Sequence, residues 1–417
     1  MVNTCYPVAA PCSQKVVTVV DARMGRGKTS AAIRYMNEHK GTKRFIFITP
    51  YLSEVDRICE TCDFEQPDSD KTTKLAILKH HMLAKKNIAT THSLFYLMDE
   101  QALDIAQQNN YSLIIDESVN TISKINVSAK DFDLITTQLT KEDEYGKLSW
   151  IDPEYTGKFS EYKDIADVKG LFRLDSALIS IMDPSILQRF DEVFMLTYLF
   201  NGQYQKSYLD YFDVPYRIVG VEKDDAGYRF SDKADDPPPL DIRSLIHIVD
   251  SDKMNRIGNP RYALSKNWFT SRKFEDEDLK ALRRHLHNFY RRVAVGDSDS
   301  RIWTCYKEAQ NRIVSRDGRY RNNFLAMNIR ATNEYRQATN VAYLANRFCD
   351  PNIVKFFGTR GIKIDNDAFA LAEMIQFIWR SAIRDNKPIN LYIPSKRMRT
   401  LLIRWLDEVS QGGDSHD

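Results

Sequence analysis

Short apolar runs alternate with amphipathic segments along the first half of the chain. Each run is rich in β-branched or aromatic residues, and helical patterns such as Thr29–Lys40 and Leu52–Thr61 separate the runs. Continuous apolar strands between helices are typical of a parallel sheet that is covered on both faces. The predicted strands are Lys15–Asp21, Arg44–Thr49, Asn87–Thr90, Tyr111–Asp116 and Glu192–Thr197. This pattern predicts an α/β fold.

The second half of the chain shows the same alternation less regularly. Its predicted strands are Leu245–Val249, Arg301–Cys305, Asn323–Met327 and Asn390–Ile393. Its long predicted helices are Asp276–Val295, Glu334–Phe348 and Phe369–Arg384. We therefore expect a second α/β domain.

A segment rich in proline and aspartate separates the two halves. Asp224–Asp241 contains three consecutive prolines among aspartates, which cannot continue a helix or a sheet. We place the first domain at residues 1–205, a linker at 206–241 and the second domain at 242–417. Residues 121–190 have little strand pattern, and structureless loops of that length are uncommon. We therefore predict a helical insertion there.

The composition is that of an ordinary globular protein, with 43% hydrophobic and 28% charged residues. It argues against a disordered chain, a collagen-like protein and a disulfide scaffold. No apolar run approaches the roughly 20 residues of a transmembrane helix, and the N-terminus lacks the pattern of a secretory signal. Six cysteines are typical of a reducing compartment. We expect a cytoplasmic protein with no membrane partner.

The net charge of +2 indicates no partner by itself, but its distribution is uneven. Residues 272–336 hold 15 Lys and Arg against 9 Asp and Glu. The pairs Arg283/Arg284 and Arg291/Arg292 fall in this region, on a predicted helix that also carries Phe289 and Tyr290. Such a surface suits the backbone of a nucleic acid. A solvated helix face with its aromatic residues in the core is the alternative.

The clearest functional motif is Ala22–Thr29, with the sequence ARMGRGKT, between a predicted strand and a predicted helix. It matches the phosphate loop G-x-x-x-x-G-K-[ST] except that Ala22 stands at the first glycine. Backbone N–H groups and the helix N-terminus would bind phosphates, Lys28 would reach the β- and γ-phosphates, and Thr29 would ligate Mg²⁺. The sequence therefore predicts ATP and Mg²⁺ as cofactors. The predicted contacts are Gly25, Arg26, Gly27, Lys28, Thr29 and Ser30.

An acidic pair, Asp116 and Glu117, follows the apolar run Tyr111–Ile115. An aspartate at the tip of a buried parallel strand can hold the metal, usually through water. A following glutamate can orient or deprotonate the water that attacks the γ-phosphate. The pair predicts hydrolysis as well as binding of the nucleotide.

The phosphate loop followed by Asp-Glu resembles motifs I and II of superfamily 2 helicases. This resemblance implies two RecA-like P-loop domains, with ATP between them. Thr49–Glu54 looks like motif Ia and Ala89–Leu94 looks like motif Ib. In that family these loops grip one nucleic-acid strand, which implies such contacts for Thr49, Pro50, Thr91 and His92. Met195–Tyr198 stands where motif III would lie but departs from its usual form.

Near the C-terminus, Gln376–Arg384 resembles motif VI, with its glycines replaced and its second arginine one residue late. On one helix, Gln376, Arg380 and Arg384 would share a face at i, i+4 and i+8. The resemblance implies that Arg380, and less directly Arg384, act as arginine fingers on the γ-phosphate. The alternative is an amphipathic helix with a solvated arginine stripe.

Motif V has two candidates. Asn328–Tyr335 follows a predicted strand and would supply Arg330, Thr332 and Asn333 as nucleic-acid contacts, while Thr359–Asp365 is its rival. Taken together the motifs resemble phage and prophage DEAD/DEAH-type helicases and the helicase part of herpesvirus origin-binding proteins. The resemblance implies an ATP-dependent DNA helicase of phage-type replication in a host cytoplasm. Single-stranded or forked DNA is favoured over RNA as its partner, with other replication proteins as further partners.

Two other functions remain open. A terminase-like packaging ATPase would need a nuclease with metal-binding aspartates, and the second half offers only the scattered Asp250, Asp252, Asp365 and Asp367. A nucleotide-gated DNA-binding or loader protein would use the same motifs without unwinding. Cys59 and Cys62 form a single CxxC pair, which is weak support for zinc, and His80/His81 and His285/His287 are expected at the surface.

Overall fold

The chain divides into two compact units. The computed structural model describes residues 15–68, 72–168, 170–232, 242–294, 296–327 and 335–411. The first unit takes the residues up to 235 together with Cys349–Ile364, and the second takes the remainder. Within the described ranges, no helix is both long enough and apolar enough to cross a membrane.

The first unit contains two sheets and the helices that cover them. Its strands are β1 (Val17–Asp21), β2 (Arg44–Thr49), β3 (Ile88–Thr91), β4 (Tyr111–Asp116), β5 (Ile122–Ile125), β6 (Thr140–Glu142), β7 (Lys147–Trp150), β8 (Leu171–Leu174), β9 (Ala177–Ile181), β10 (Val193–Thr197), β11 (Tyr216–Asp224) and β12 (Gly227–Ser231). Its helices before the linker are α1 (Lys28–His39), α2 (Leu52–Cys62), α3 (Lys74–Leu83), α4 (His92–Phe95), α5 (Glu100–Gln108), α6 (Ala129–Leu134), α7 (Ser160–Val168), α8 (Ser185–Gln188) and α9 (Tyr204–Tyr211).

The main sheet has the order β12-β11-β1-β10-β4-β2-β3. All its pairs are parallel except the β11–β12 hairpin. Alternate residues of β2 enter two different cores: Ile46 and Ile48 pack in one apolar cluster, and Phe45 and Phe47 pack in the other. The strand is therefore apolar throughout because both of its faces are covered. The predicted α/β fold with parallel strands is confirmed.

The insertion between β4 and β10 is mixed rather than helical. Five antiparallel strands form a second sheet in the order β5-β9-β8-β7-β6, with α6 and α7 packed on it. Its strands have three to five residues, and β6 has one buried residue in three. β9 is buried throughout, but the other four strands are short and partly exposed, and they have too little apolar pattern to be recognised from sequence. An insertion lies at the predicted place in the chain, but the prediction that it is helical is wrong.

Residues 206–231 were predicted as the first part of a linker, whereas the structure has regular elements there. Helix α9 ends at Tyr211, and β11 and β12 form an antiparallel hairpin that extends the main sheet. The prolines at 237–239 indicate a linker, and the sequence prediction gave them more weight than the alternating residues of this hairpin. These prolines lie outside the described residues.

The second unit contains a four-stranded parallel sheet in the order β13-β16-β15-β14. Its strands are β13 (Ile246–Ile248), β14 (Arg301–Thr304), β15 (Asn340–Tyr343) and β16 (Ile389–Tyr392). The helices after the linker are α10 (Ile242–Leu245), α11 (Asp252–Asn255), α12 (Lys266–Thr270), α13 (Glu277–Asn288), α14 (Gln310–Ile313), α15 (Pro351–Gly358), α16 (Asn366–Ile378) and α17 (Lys396–Gln411).

Two predicted elements of the second unit are wrong. The described part of the predicted helix Glu334–Phe348 contains strand β15 instead, whose four residues are all buried. Where every side chain is buried, the apolar pattern cannot distinguish a helix from a central strand. The described residues of Asn323–Met327 form only a single bridge, from Phe324 to Trp303.

Helix α15 comes from the second half of the sequence but belongs to the core of the first unit. Ile353, Phe356 and Phe357 are buried there, and the Phe356 ring lies 4.8 Å from the Tyr211 ring. Asp350 caps α15 through the backbone N–H of Asn352, and its own N–H donates to the Tyr204 hydroxyl. The sequence placed this segment in the second domain. Its apolar face is covered instead by α9 and its neighbours.

We predict that Phe357→Ala lowers the free energy of unfolding by about 3–5 kcal/mol, because the ring is fully buried and its loss leaves a cavity. Urea denaturation followed by fluorescence and circular dichroism measures the change. Lys355→Ala on the same helix is the control. It removes only an exposed ion pair with Asp175 and should change stability by about 1 kcal/mol or less. Equal effects of the two substitutions would contradict the placement of α15 in this core.

Candidate functional site

The phosphate loop joins the carboxyl end of β1 to the first residue of α1. Gly25 and Gly27 have φ angles of 81° and 80°, in the left-handed region that favours glycine. Helix α1 begins at Lys28, so the N–H groups of its first turn have no partner within the helix. Ala22, which replaces the usual first glycine, is buried in the apolar cluster beside β1. The loop therefore has the conformation and the donors that phosphate binding requires.

The hairpin β11–β12 restricts the space beside this loop. A methyl group added at Gly27 would lie 2.4 Å from the Tyr228 ring. Tyr228 also packs against the cluster under α1. A glycine is therefore required at position 27 for two reasons: the backbone there is left-handed, and the Tyr228 ring approaches it closely. The sequence analysis did not identify Tyr228.

Lys28 and Thr29 occupy the positions expected of a phosphate loop. The Lys28 ammonium donates to the carbonyl oxygens of Ala22 and Arg23 within the loop. The Thr29 hydroxyl donates to Oδ1 of Asp116 at 3.2 Å. The structure thus brings together two residues that are 87 positions apart in the sequence.

The surroundings of Asp116 disfavour the charged form of its carboxylate. Its side chain is buried, and burial is the largest of the causes that raise its pKa to about 7. The charges of Glu117 and Glu54 contribute to this rise, whereas Lys28 and Thr29 act in the opposite direction. A divalent cation at this point would favour the charged form. Carboxylate and hydroxyl oxygens are ligands that Mg²⁺ prefers, and phosphates and water usually complete its shell.

Glu117 has a left-handed backbone, with φ at 63°, which is uncommon for a residue other than glycine. Its N–H donates to the carbonyl of Leu196 on β10. The side chain is half-buried. Residues held in such conformations tend to cluster at functional sites.

A second hydrogen-bonded group links the ends of β4 and β10. Gln203 accepts from the hydroxyl of Thr197, at 2.9 Å, and from that of Ser118. Its amide nitrogen donates to the carbonyl of Tyr198 at 2.7 Å. Thr197 lies where motif III was expected, but Ser118 and Gln203 were not predicted. Gln203 follows a short helical turn, and no recognisable sequence motif marks it.

The predicted nucleic-acid contacts of the first domain differ in exposure. Thr49 is buried at the end of β2, while Pro50 and Thr91 are half-buried. His92 is also buried, and its Nε2 lies 3.0 Å from the carbonyl oxygen of Asp116. The histidine ring therefore supports the end of β4 and does not face the solvent.

The motif VI residues of the second unit do not share one helix face. Helix α16 ends at Ile378, so only Gln376 of the three lies on it, and Arg384 lies in a 3₁₀ turn at Ala382–Asp385. The Ser381 hydroxyl donates to the carbonyl of Ile378, and Ser381 itself is extended, which ends the helix. Arg380 is buried and donates to the carbonyl of Met327 at 3.1 Å.

The two motif V candidates differ in what the structure describes. Arg330, Thr332 and Asn333 lie outside the described residues. Thr359 follows α15 in the first unit, where its hydroxyl donates to the carbonyl of Phe356. No strand precedes it directly in that described segment.

The cysteine pair gives no support for a zinc site. Cys62 is buried on α2, and burial raises the pKa of both the Cys59 and Cys62 thiols to about 11. Across the described ranges, no three His, Cys, Asp or Glu side chains are grouped to hold a metal. His285, which was expected at the surface, is buried against the carbonyl of Met254.

Comparison with known proteins identifies the family. A model of the YonV C-terminal Rossmann-like domain matches residues 240–406. The SPbeta prophage-derived uncharacterized protein YonV of Bacillus subtilis (strain 168) is 37% identical over 410 residues, which cover 94% of this chain and 98% of that protein. The chain belongs to the YonV family. The predicted similarity to a prophage protein is therefore confirmed.

Solved structures similar to this YonV-family chain include helicases. An XPD helicase is 11% identical, with 95% of each chain covered and a TM-score of 0.44. The Xpd4 protein of S. tokodaii is 13% identical, with 94% of each chain covered and a TM-score of 0.43. The resemblance to herpesvirus origin-binding proteins stays a prediction.

We predict that Gly27→Ala weakens ATP binding at least tenfold. Alanine disfavours a φ of 80°, and its methyl group would meet the Tyr228 ring. Isothermal calorimetry with ATP and Mg²⁺ measures the affinity. Gly41→Ala is the control, because a methyl group there meets nothing within 4 Å. Adding Tyr228→Ala to Gly27→Ala should restore affinity only in part, since the backbone strain remains. Unchanged affinity in Gly27→Ala would refute the assigned loop.

We predict that Asp116→Asn stabilises the nucleotide-free protein more at pH 8 than at pH 5. A carboxyl group with a raised pKa binds its proton more tightly in the folded state, so its unfavourable effect on stability grows as pH rises from about 4, the ordinary pKa of an aspartate, to about 7, and is complete above that. The gain at pH 8 should be at most about 4 kcal/mol, because a tenfold change in proton affinity corresponds to about 1.4 kcal/mol. Thermal unfolding at both pH values measures it. The exposed Asp56→Asn should show no such pH dependence. A gain of equal size at both pH values would contradict the assignment.

Proposed function

We propose that this YonV-family protein is an ATP-dependent translocase that acts as a DNA helicase in phage-type replication. The observation that carries the proposal is the hydrogen bond from Thr29, in the phosphate loop, to the buried carboxylate of Asp116 on β4. P-loop nucleotide hydrolases hold Mg²⁺ with such a hydroxyl and such an aspartate. The raised pKa of Asp116 supports it, because this carboxylate lacks a full counter-charge from its neighbours.

The proposed nucleotide contacts lie around the N-terminus of α1. The backbone N–H groups of residues 25–30 would bind the phosphates, and Lys28 would exchange its carbonyl partners for phosphate oxygens. Mg²⁺ held by Thr29 and Asp116 would neutralise charge that develops on the phosphates. Glu117, next to Asp116, would orient and deprotonate the attacking water.

For the second unit we propose Arg380 and Arg384 as contacts to the transferred phosphoryl group, with Gln376 near them. Its four-stranded parallel sheet and its match to a Rossmann-like domain support a nucleotide-related second domain. The Arg380 guanidinium donates to the carbonyl of Met327 through one of its N–H groups and is largely buried, so a role as arginine finger requires the side chain to become accessible to the nucleotide. Arg384 is half-buried and is in this respect the more accessible of the two.

Thr49, Pro50, Thr91, Arg330, Thr332 and Asn333 remain the proposed nucleic-acid contacts. Pro50 and Thr91 lie at the carboxyl ends of neighbouring strands, which pair in register from Ile46–Ile88 to Thr49–Thr91. Single-stranded or forked DNA is the proposed substrate, because the matching relative is prophage-derived. Other replication proteins are proposed as partners.

The decisive experiment measures ATP hydrolysis with single-stranded DNA, forked DNA, RNA or no nucleic acid, alongside displacement of a labelled strand. A helicase should show stimulated hydrolysis and ATP-dependent displacement. A nucleotide-gated loader should bind DNA and hydrolyse ATP without displacement. The packaging hypothesis receives no support from the described residues of the second unit, which hold no grouped acidic metal ligands.

We predict that Glu117→Gln binds ATP with Mg²⁺ normally but loses turnover by roughly 10²–10⁴-fold, the range for loss of a general base. Lys28→Ala should instead lose both affinity and turnover. Steady-state hydrolysis and nucleotide affinity measure the difference. Glu60→Gln, an exposed position on α2, is the matched control and should be unchanged. If nucleotide affinity collapses in Glu117→Gln, its role as a base is wrong.

A further inference from the structure

A group of arginines on the second unit lies outside the helicase-like motifs. Helix α13 continues into a π-helix at Phe289–Val293, in which the N–H of Ala294 donates to the carbonyl of Phe289, five residues earlier. Arg291 and Arg292 follow His287 at i+4 and i+5, where α13 passes into the π-helix.

The inner face of the same helix shows where its aromatic residues lie, which the sequence left open. Phe289 and Tyr290 are fully buried, and the Tyr290 hydroxyl donates to the carbonyl of Ile302 on β14. Arg284, Arg291 and Arg292 are exposed. The aromatic residues thus belong to the core, and the arginines lie on the outer face, where Val293 is also exposed.

A second segment brings another arginine to this face. The Tyr320 hydroxyl lies 3.1 Å from Nδ1 of His287, and the Tyr320 carbonyl accepts from the Trp303 indole at 2.7 Å. The Arg319 guanidinium lies 3.2 Å from the same imidazole nitrogen. Burial lowers the pKa of His287, and the neighbouring charges of Arg319, Arg291 and Arg292 lower it further, opposed by Asp317. Arg319 therefore contacts the His287 imidazole, and the charges of Arg291 and Arg292 lie close enough to lower its pKa.

Among the residues that the structure describes, most of this positive charge has no carboxylate in contact. Within the described part of the chain, Arg284, Arg291 and Arg292 have no carboxylate within 4.0 Å, and only Arg319 is paired, with Asp317. Other arginines of the unit do form ion pairs: Arg272, Arg316, Arg336, Arg347 and Arg397. Like charges side by side at an exposed face are unfavourable unless an external anion is bound.

We propose that the arginine cluster, defined as Arg284, Arg291, Arg292 and Arg319, binds the phosphate backbone of a nucleic-acid strand. The nature of this ligand rests on the proposed function, but none of these four arginines is among the proposed motif residues. Guanidinium groups bind phosphate oxygens through paired N–H donors, and contacts to the backbone carry no base sequence. The cluster would therefore contribute affinity that does not depend on sequence.

The test compares the wild-type protein with Arg291→Ala/Arg292→Ala. Fluorescence anisotropy with a labelled oligothymidine measures affinity at several salt concentrations. We expect about tenfold weaker binding at 0.1 M salt and a salt slope smaller by about 1.4, since each phosphate contact to a single strand contributes about 0.7. Hydrolysis without DNA should stay unchanged. Lys387→Ala/Arg404→Ala removes two exposed charges of the same unit and should leave affinity and slope unchanged.

The outcomes separate this proposal from the proposed function. If wild type and Arg291→Ala/Arg292→Ala bind DNA with the same affinity and slope, the cluster is not a binding site, and the proposed function stands. If wild type binds neither DNA nor RNA, with or without nucleotide, both proposals are wrong. If polyglutamate displaces DNA as efficiently as unlabelled DNA does at equal charge, the cluster is a general polyanion site and its assignment to nucleic acid is wrong.

Discussion

The parallel register of β4 with its neighbours is the constraint on which the candidate site depends. β4 pairs with β10 up to Leu196–Asp116, and β1 pairs with β10 up to Asp21–Thr197. This alignment places the phosphate loop, the acidic pair and Thr197 at one edge of the sheet. A slip of one residue would turn Asp116 to the opposite face and remove its bond to Thr29. The six buried residues of β4 make such a slip costly.

The same end of the sheet concentrates negative charge. Asp116 is buried near Glu117 and Glu54, and the Lys28 ammonium donates to the loop carbonyls of Ala22 and Arg23. Glu117 keeps a left-handed backbone. These features destabilise the nucleotide-free state, and the apolar clusters on both faces of the sheet offset them. A cation together with a polyphosphate would offset the buried negative charge and would bind at the N-terminus of α1.

Arginines serve two different purposes in the second unit. Arg347 is largely buried and is held by Glu373 at 2.9 Å, and Arg397 donates to the backbone of Arg347 and Asn366. These residues tie segments of the unit together. Arg284, Arg291 and Arg292 of the arginine cluster, on α13 and the π-helix, have the same side chains without such partners among the described residues, and they are exposed. The difference lies in burial and pairing, which a count of charges along the sequence does not reveal.

The central strands of the first sheet, the phosphate loop and the acidic pair could be predicted from the sequence, because each of these is encoded by neighbouring residues. β2 and β4 have the predicted bounds, since continuous apolar runs between helices have few alternatives. Features that depend on distant partners could not be predicted in this way. β15 is a strand because a strand pairs with it on each side, and α15 joins the first unit because Tyr211 and Phe172 cover its face. Gln203 meets Ser118 because β4 and β10 are neighbours in the sheet. Local patterns record which residues are apolar. They do not record which distant surface buries them.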